Sequence, residues 1–183
     1  DSYGSRVNPG HESLFNKISC YGDSFTFARQ VNNNETWEYY LSKLTNTNVQ
    51  NFGVGNYGLD QSLLRLKHEF LKNKSEIVIL GVVPDTISRI VSVWKHYYEY
   101  GNTFGFKPRF YIKNNELCLL ENIINSESKF SNYNLYLSEL QNFDFFYTKK
   151  FKKELLSFPY FISILKNPKR NILIIFWIFL SIF

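Results

Sequence analysis

Methionine is absent from the sequence of 183 residues, and cysteine occurs only twice, as Cys20 and Cys118. Two cysteines cannot build the disulfide framework of a small secreted domain, although one bridge between them stays open. Reduced thiols are favoured over a disulfide, and because thiols stay reduced in the cytoplasm, a cytoplasmic location is favoured as well. The cysteines and the three histidines also lack the close spacing of metal ligands, so neither a metal nor another cofactor is predicted.

Charge is scarce as well, because charged residues make up only 20% of the chain and the formal net charge is +5. A nucleic-acid-binding domain usually has a dense basic stripe, so no nucleic acid is predicted as a partner. In contrast, 44% of the residues are hydrophobic and 19% are aromatic. This composition excludes a disordered chain and predicts a folded domain with a substantial core.

No apolar run is long enough to cross a membrane by itself, since a spanning helix needs about 20 apolar residues. The run Ile172–Phe183 is either an element buried in the fold or part of a membrane span completed beyond this sequence, with Lys166, Lys169 and Arg170 as its positive flank. Because the sequence lacks methionine and stops inside this run, we expect it to be an internal piece of a longer protein. The stretch Phe145–Lys153 is typical of a solvated helix face or of contact with an anionic membrane surface.

Short β-prone runs alternate with helix-forming stretches in the N-terminal half of the chain. Strands are predicted at Lys17–Tyr21, Val49–Val54 and Ile77–Val83. Helices are predicted at Thr36–Leu44, with Asn34 as the N-cap, and from Leu59 and Pro84 onward. The third strand is a continuous apolar run of the kind that is buried on both faces of a parallel sheet. This alternation predicts an α/β fold with a parallel sheet.

Periodicity fades in the C-terminal half of the chain. We predict a long loop or insertion at Tyr97–Phe110 and a helix at Phe130–Phe143, and we leave the apolar stretch Leu117–Leu120 unassigned. The predicted organisation is therefore an α/β core at residues 1–110 and a helical and irregular extension at residues 111–183.

The segment Ile18–Phe27 carries the first candidate for chemistry. A β-prone run leads through Gly22, Asp23 and Ser24 toward a helix, so that the serine hydroxyl lies at the carboxyl end of a strand, where open parallel sheets bind their ligands. Backbone N–H groups at such a turn can stabilise a developing oxyanion, and the serine needs a base to become a nucleophile. The alternative is that Asp23 and Ser24 only form a tight turn or a helix cap.

A glycine-rich stretch, Asn51–Gly58, follows the next predicted strand and again precedes a helix. Together, Gly22–Phe25 and Asn51–Gly58 resemble the first two sequence blocks of the SGNH, or GDSL, family of esterases and lipases, and the resemblance covers about residues 15–95. It implies a three-layer α/β/α sandwich with a parallel sheet, similar to flavodoxin-like folds. Glu35–Trp37 and Tyr57–Gln61 further resemble a bacterial subgroup in which such domains accompany surface-polysaccharide genes.

The resemblance implies a role for several of these residues. Ser24, preceded by Asp23, would be the nucleophile, with its own backbone N–H as one oxyanion donor. The second donor would be a backbone N–H of the turn formed by Gly55 and Asn56, since asparagine tolerates the left-handed backbone better than most residues.

Two other blocks depart from the pattern of the family. In the third block Gly81 matches, but Val83 stands where an asparagine completes the oxyanion hole, and losing one such donor typically costs about 100- to 1,000-fold in turnover. Arg89 either reaches this site or is solvated beside Asp85. The fourth block, Asp-x-x-His, is absent, so that the base is either His96 or a residue beyond the end of this sequence.

These observations predict a serine esterase or deacylase that hydrolyses an O-acyl ester, on a small molecule or a carbohydrate, through an acyl-enzyme on Ser24. A glycan O-acyltransferase using the same serine and a catalytically inactive SGNH-like binding scaffold stay as alternatives. A further alternative is nucleotide binding, because Gly53, Gly55 and Gly58 have the G-x-G-x-x-G spacing. Two features count against nucleotide binding. A dinucleotide-binding turn follows the first strand, whereas this one follows the second, and its acidic partner would be Glu76, which precedes a strand instead of ending one.

Overall fold

The computed structural model describes residues 4–155, 158–166 and 168–182. It is a mixed α/β structure whose main sheet has three parallel strands: β1 (Asn16–Tyr21), β2 (Asn48–Asn51) and β3 (Ile77–Leu80). The strand order is β2-β1-β3, so that the first strand lies in the centre. The prediction of an α/β fold with a parallel sheet is confirmed.

Helices connect these strands and follow them. The first five are α1 (Ser24–Phe27), α2 (Trp37–Thr45), α3 (Leu59–Phe70), α4 (Ile87–Ile90) and α5 (Lys95–Tyr98). The later ones are α6 (Glu127–Ser131), α7 (Leu137–Phe143), α8 (Lys152–Glu154), α9 (Tyr160–Lys166) and α10 (Pro168–Ile182). Short 3₁₀ turns lie at Asn33–Glu35, Pro84–Thr86 and Tyr133–Tyr136, and a π-helical turn lies at Tyr147–Phe151. The helix predicted at Phe130–Phe143 is therefore divided.

β1 lies at the centre of the hydrophobic core of the sheet. Ile18 and Cys20 form a buried cluster with Val49 of β2, and Ile79 of β3 packs against it. Burial, with a smaller contribution from the Glu38 carboxylate, raises the pKa of the Cys20 thiol. This cysteine therefore stays protonated and unreactive.

β3 differs from its prediction. Ile77, Val78 and Leu80 are between 39% and 46% exposed, whereas Ile79 packs against the sheet core. The prediction that this run is buried on both faces is therefore wrong. Among the described residues β3 pairs only with β1, and an edge strand lacks the neighbours that cover both faces of a central one. The strand also ends at Leu80 instead of Val83.

α2 begins one residue later than predicted, at Trp37. Its N-cap is Thr36, whose hydroxyl oxygen accepts a hydrogen bond from Tyr39 N at 3.1 Å. The predicted cap, Asn34, lies instead inside the preceding 3₁₀ turn. That turn ends immediately before Thr36, which leaves the threonine as the extended residue that a helix cap requires.

The fully buried residues of α2 are polar, namely Glu38 and Ser42, while Leu41 packs against the core of the sheet. Ser42 is buried, and its Oγ accepts hydrogen bonds from Asn8 Nδ2 at 2.8 Å and from Val49 N at 3.1 Å. This contact with β2 fixes the rotation of the helix and turns its apolar side outward. The apolar residues exposed in this way are Trp37, Tyr40 and Leu44.

An antiparallel hairpin of β4 (Arg109–Lys113) and β5 (Glu116–Leu120) lies where the sequence predicts the end of a loop and an unassigned apolar stretch. Its turn residues Asn114 and Asn115 have φ values of 50° and 66°. Both therefore occupy the left-handed region that a type I′ hairpin turn requires. The predicted division between residues 110 and 111 falls inside β4.

A second core joins the segment around Trp94 to the C-terminal half of the chain. Its buried members are Val93, Trp94, Tyr97, Ile123, Ile124 and Leu140. Asp144 is buried beside this core, and its Oδ2 accepts hydrogen bonds from Ser92 Oγ at 2.9 Å, Val93 N at 2.8 Å and Trp94 N at 3.1 Å. The Asp144 carboxylate, which lies after the hairpin in the sequence, is thus hydrogen-bonded to the segment Ser92–Trp94 before it.

α9 and α10 form the C-terminal part of the described structure. They touch through a buried pair, in which Asn171 Nδ2 donates to Ser163 O at 3.3 Å. Of the apolar run Ile172–Phe183, residues 172–182 are helical, and Phe183 lies outside the described residues. No helix in the described ranges combines the length and the hydropathy that a bilayer crossing requires.

Candidate active site

Ser24 is the first residue of α1 and follows β1 after the turn at Gly22 and Asp23. Asp23 Oδ1 accepts a hydrogen bond from Phe25 N at 2.9 Å, so the carboxylate caps this short helix. Ser24 is half-buried, and its Oγ has no hydrogen-bond partner among the described residues. The hydroxyl is thus accessible at the carboxyl end of the central strand.

Three glycines hold the loops that follow the three parallel strands close to α1. A Cβ on Gly22 would lie 2.0 Å from Thr26 Oγ1, and one on Gly81 would lie 2.2 Å from the same atom. A Cβ on Gly53 would lie 2.4 Å from Phe27 N. Because the Cβ on Gly53 would clash with backbone atoms, that position requires glycine, whereas a side chain at Gly22 or Gly81 would require the Thr26 side chain to move. The carboxyl ends of β1, β2 and β3 therefore all meet at the helix that begins with Ser24.

The second glycine-rich loop is bonded directly to the first. Val54 N donates to Gly22 O at 3.0 Å, and Asn51 Nδ2 donates to Thr26 O at 2.9 Å. Asn56 has a φ of 67°, the left-handed conformation that the resemblance required it to tolerate. The loop following β2 is thus held beside the turn that carries the candidate nucleophile.

Three backbone N–H groups at this edge of the sheet have no protein acceptor in the described part of the chain. They belong to Ser24, Gly55 and Asn56. Unpaired N–H groups beside a serine hydroxyl are the donors that an oxyanion needs. The structure therefore brings Asp23, Ser24, Gly55 and Asn56 to the same edge of the sheet.

Arg89 of α4 connects the two loops. Its Nη1 lies 3.5 Å from Asp23 Oδ2 and donates to Tyr57 O at 2.9 Å. Asp23 is only 3% exposed, so its charge needs a nearby partner. Of the two alternatives for Arg89, the contact with the site is the one observed. Val83 lies three residues beyond the end of β3, immediately before the 3₁₀ turn at Pro84–Thr86, and has an apolar side chain.

A cavity of about 130 Å³ lies beside the second loop. Its lining includes Asn56, Arg89, Lys95, Tyr98, Phe106 and Lys107. Each cation in this lining has a carboxylate partner: Asp23 for Arg89, Glu99 for Lys95 and Asp60 for Lys107. The cavity is therefore mixed apolar and charge-balanced, and Ser24 is not among the residues that line it.

The Lys107–Asp60 pair is the more buried part of this lining. Lys107 Nζ lies 2.5 Å from Asp60 Oδ2, and the two side chains are 11% and 1% exposed. Burial lowers the pKa of Lys107, while the Asp60 carboxylate opposes that change. Sequence reasoning missed this pair because the two residues come from α3 and from the loop before β4, with no motif joining them.

His96 lies in aromatic surroundings, as its sequence context predicts. Its ring centroid is 4.8 Å from that of Trp94, 4.9 Å from Tyr100 and 5.1 Å from Phe151. Its Nδ1 accepts a hydrogen bond from Gly101 N at 3.2 Å, and burial lowers its pKa. The role of His96 as the base stays a prediction.

No imidazole is hydrogen-bonded to Ser24 in the described ranges. His11 Nδ1 contacts Pro9 O, and His68 Nε2 contacts Lys72 Nζ. Ser24 and the loop of Gly55 and Asn56 thus lie at one edge of the sheet, and no histidine of the described part of the chain is hydrogen-bonded to the serine.

Comparison of the chain with protein-family models, with curated proteins and with solved structures gives no match. Among the described residues, no group of three or more metal-binding side chains is assembled. Any function assigned to this protein therefore depends on the residues and the geometry themselves.

Proposed function

We propose that this protein is a serine esterase of the SGNH type that removes an O-acyl group, with a carbohydrate ester as the substrate class. The observation that carries the proposal is that Ser24 Oγ lies at the same edge of the sheet as three backbone N–H groups, and that neither the hydroxyl nor these groups have a hydrogen-bond partner among the described residues. The strand order β2-β1-β3 supports it, because open sheets of this order bind ligands where the crossovers diverge, between β1 and β3.

The finer architecture in this proposal is a three-layer sandwich. The chain moves from β1 to β2 in one direction and then across β1 to β3 in the other. If both crossovers are right-handed, α2 and α3 cover opposite faces of the sheet. The exposed edge at β3 would then be the side on which further strands extend such a sheet.

In the proposed reaction Ser24 Oγ attacks the ester carbonyl carbon and forms a new C–O bond. The carbonyl oxygen becomes an oxyanion, which accepts hydrogen bonds from Ser24 N–H and from the turn of Gly55 and Asn56. A general base takes the Ser24 proton and passes it to the departing alcohol as the old ester bond breaks. Water then hydrolyses the acyl-enzyme, releasing the acid and restoring the serine. His96 is the candidate base within this sequence.

Two alternatives use the same scaffold. A glycan O-acyltransferase would pass the acyl group from Ser24 to a sugar hydroxyl instead of water. A catalytically inactive binding scaffold is favoured by the side chain of Val83 and by the absence of a bonded imidazole at Ser24 in the described residues.

Two assays on matched variants test the proposal. Wild-type protein is expected to hydrolyse p-nitrophenyl acetate and to be labelled by a fluorophosphonate, since only an activated serine reacts with that reagent. Ser24→Ala should lose both signals, and Ser13→Ala, which changes an exposed serine elsewhere, should keep both. Hydrolysis that persists in Ser24→Ala would overturn the proposal. A wild-type protein that the fluorophosphonate does not label would also overturn it and would favour the catalytically inactive binding scaffold. Products formed with and without a sugar acceptor separate the esterase from the transferase.

A further inference from the structure

The C-terminal segment from Phe145 onward, here named the basic tail, accounts for the net positive charge of the chain. Residues 145–183 include seven lysines and arginines and one acidic residue, Glu154. Residues 1–144 include fourteen lysines and arginines and fifteen acidic residues. The formal charge of +5 therefore arises from +6 in the basic tail and −1 in the rest of the chain.

The helices of the basic tail expose large apolar side chains to an unusual extent. Among the described side chains of α10, seven large apolar ones are each more than half exposed: Ile172, Leu173, Ile175, Phe176, Trp177, Phe179 and Leu180. Before and within α9, Phe158, Tyr160, Phe161 and Leu165 are exposed as well. An apolar surface of this kind on a single molecule marks a place where something else binds.

The distribution of these residues around α10 favours lipid over a protein groove. At 100° per residue, the seven exposed side chains extend over about 200° of the helix circumference. A groove on a protein covers one stripe of a helix, whereas hydrocarbon can cover several sides at once. An apolar arc of this width, next to lysines, is a surface that can enter the boundary between lipid headgroups and acyl chains.

The basic residues provide the complementary charge. Four lysines here are exposed: Lys149 and Lys152 lie before α9, Lys166 ends α9, and Lys169 lies in the first turn of α10. Lysines next to an apolar helix are attracted to the negative surface of membranes that contain acidic lipids. Trp177 and Tyr160 are also of the types enriched at membrane interfaces.

The basic tail is connected firmly to the part of the fold that carries the candidate active site. Phe145 N donates to Val91 O at 3.0 Å, and Lys150 Nζ donates to Tyr98 O at 2.6 Å. A surface that binds the tail would therefore hold the α/β core close to it.

We propose that the basic tail binds the surface of an anionic lipid bilayer, with α9 and α10 lying at the interface and the lysines contacting acidic headgroups. This inference goes beyond the esterase proposal and does not depend on it, because it uses neither Ser24 nor the cavity.

Vesicle sedimentation tests the inference. The protein is mixed with vesicles of phosphatidylcholine alone or of equal parts phosphatidylcholine and phosphatidylserine. We expect at least about tenfold tighter binding to the second kind, weakened by added salt as screening predicts. A tail variant replaces four lysines with glutamine: Lys149, Lys152, Lys166 and Lys169. A control variant makes the same change at four exposed lysines of the other part of the chain: Lys43, Lys67, Lys74 and Lys113.

The tail variant should lose most of the preference for phosphatidylserine, whereas the control variant should keep it. The fluorescence change on vesicle binding should disappear in Trp177→Phe and persist in Trp37→Phe, which reports contact of α10 itself. Equal binding to both vesicle types, or equal loss in both lysine variants, would overturn the inference. Self-association without vesicle binding, measured by sedimentation velocity, would also overturn it and would assign the apolar surface to a second copy of the chain.

Discussion

Replacing Glu38 with glutamine is the substitution for which the structure defines a magnitude most directly. Glu38 is 1% exposed on the polar side of α2, and neither carboxylate oxygen has a hydrogen-bond partner among the described residues. Burial raises the pKa of this carboxyl from 4.5 to about 7. The charged form is thus destabilised in the folded protein relative to the protonated form.

The pH dependence of stability follows from this difference. Between the two pKa values the folded protein binds the proton that the unfolded chain has already released. The contribution of Glu38 to stability is therefore fully present below pH 4.5 and is lost as the pH rises through about 7. A pKa raised from 4.5 to about 7 corresponds to about 3 kcal/mol in the free energy of unfolding.

Urea unfolding followed by tryptophan fluorescence at a series of pH values measures this contribution. The free energy of unfolding of Glu38→Gln minus that of wild type should rise by about 3 kcal/mol between pH 4 and pH 8, because glutamine stays neutral throughout. Taking the difference cancels other titrating groups, including His96, whose pKa burial lowers. Glu12→Gln, at an exposed glutamate, should differ from wild type by less than about 0.5 kcal/mol. A flat difference for Glu38→Gln would refute the reasoning.

Two further changes address the cavity and the oxyanion site. Lys107→Met leaves the buried Asp60 without its ion-pair partner and should lower the free energy of unfolding by about 3–5 kcal/mol in urea titrations. Adding Asp60→Asn should recover most of that loss, and an unchanged midpoint for Lys107→Met alone would contradict the pair's importance. Val83→Asn should raise p-nitrophenyl acetate turnover by about 10- to 100-fold if it supplies the missing oxyanion donor, with Val83→Leu as the control. Equal turnover in both Val83 variants would mean that this side chain does not reach the oxyanion.

Features that depend on residues adjacent in the sequence were predictable. The β-prone run before Gly22 forms β1, and the turn that follows it starts α1 at Ser24. The left-handed backbone of Asn56 was predictable too, since asparagine adopts this conformation more readily than most residues and Asn56 lies in a glycine-rich turn. The hairpin had an equally local signal, because Asn114 and Asn115 separate two β-prone runs, as in a type I′ turn.

Features that depend on distant partners were not predictable. The apolar run at β3 reports hydrophobicity, but burial depends on how many strands and helices lie beside it, and β3 is an edge in the described structure. The rotation of α2 is decided by Ser42 and its contacts with Asn8 and β2, which no helical periodicity contains. The contact between Arg89 and Asp23 likewise joins two residues that are 66 positions apart in the sequence.

Position and reactivity of Ser24 have separate physical origins in this protein. Its position depends on backbone approach, since Gly22, Gly53 and Gly81 leave room for Thr26 and Phe27 where a Cβ would clash. Its reactivity depends on side chains that make no such contact, namely the group at position 83 and the base. The turn that carries Ser24 would therefore have the same structure in an inactive binding scaffold and in an active enzyme. Because the glycine contacts hold that turn whatever occupies position 83, we expect single substitutions there to change turnover while leaving the geometry of α1 in place.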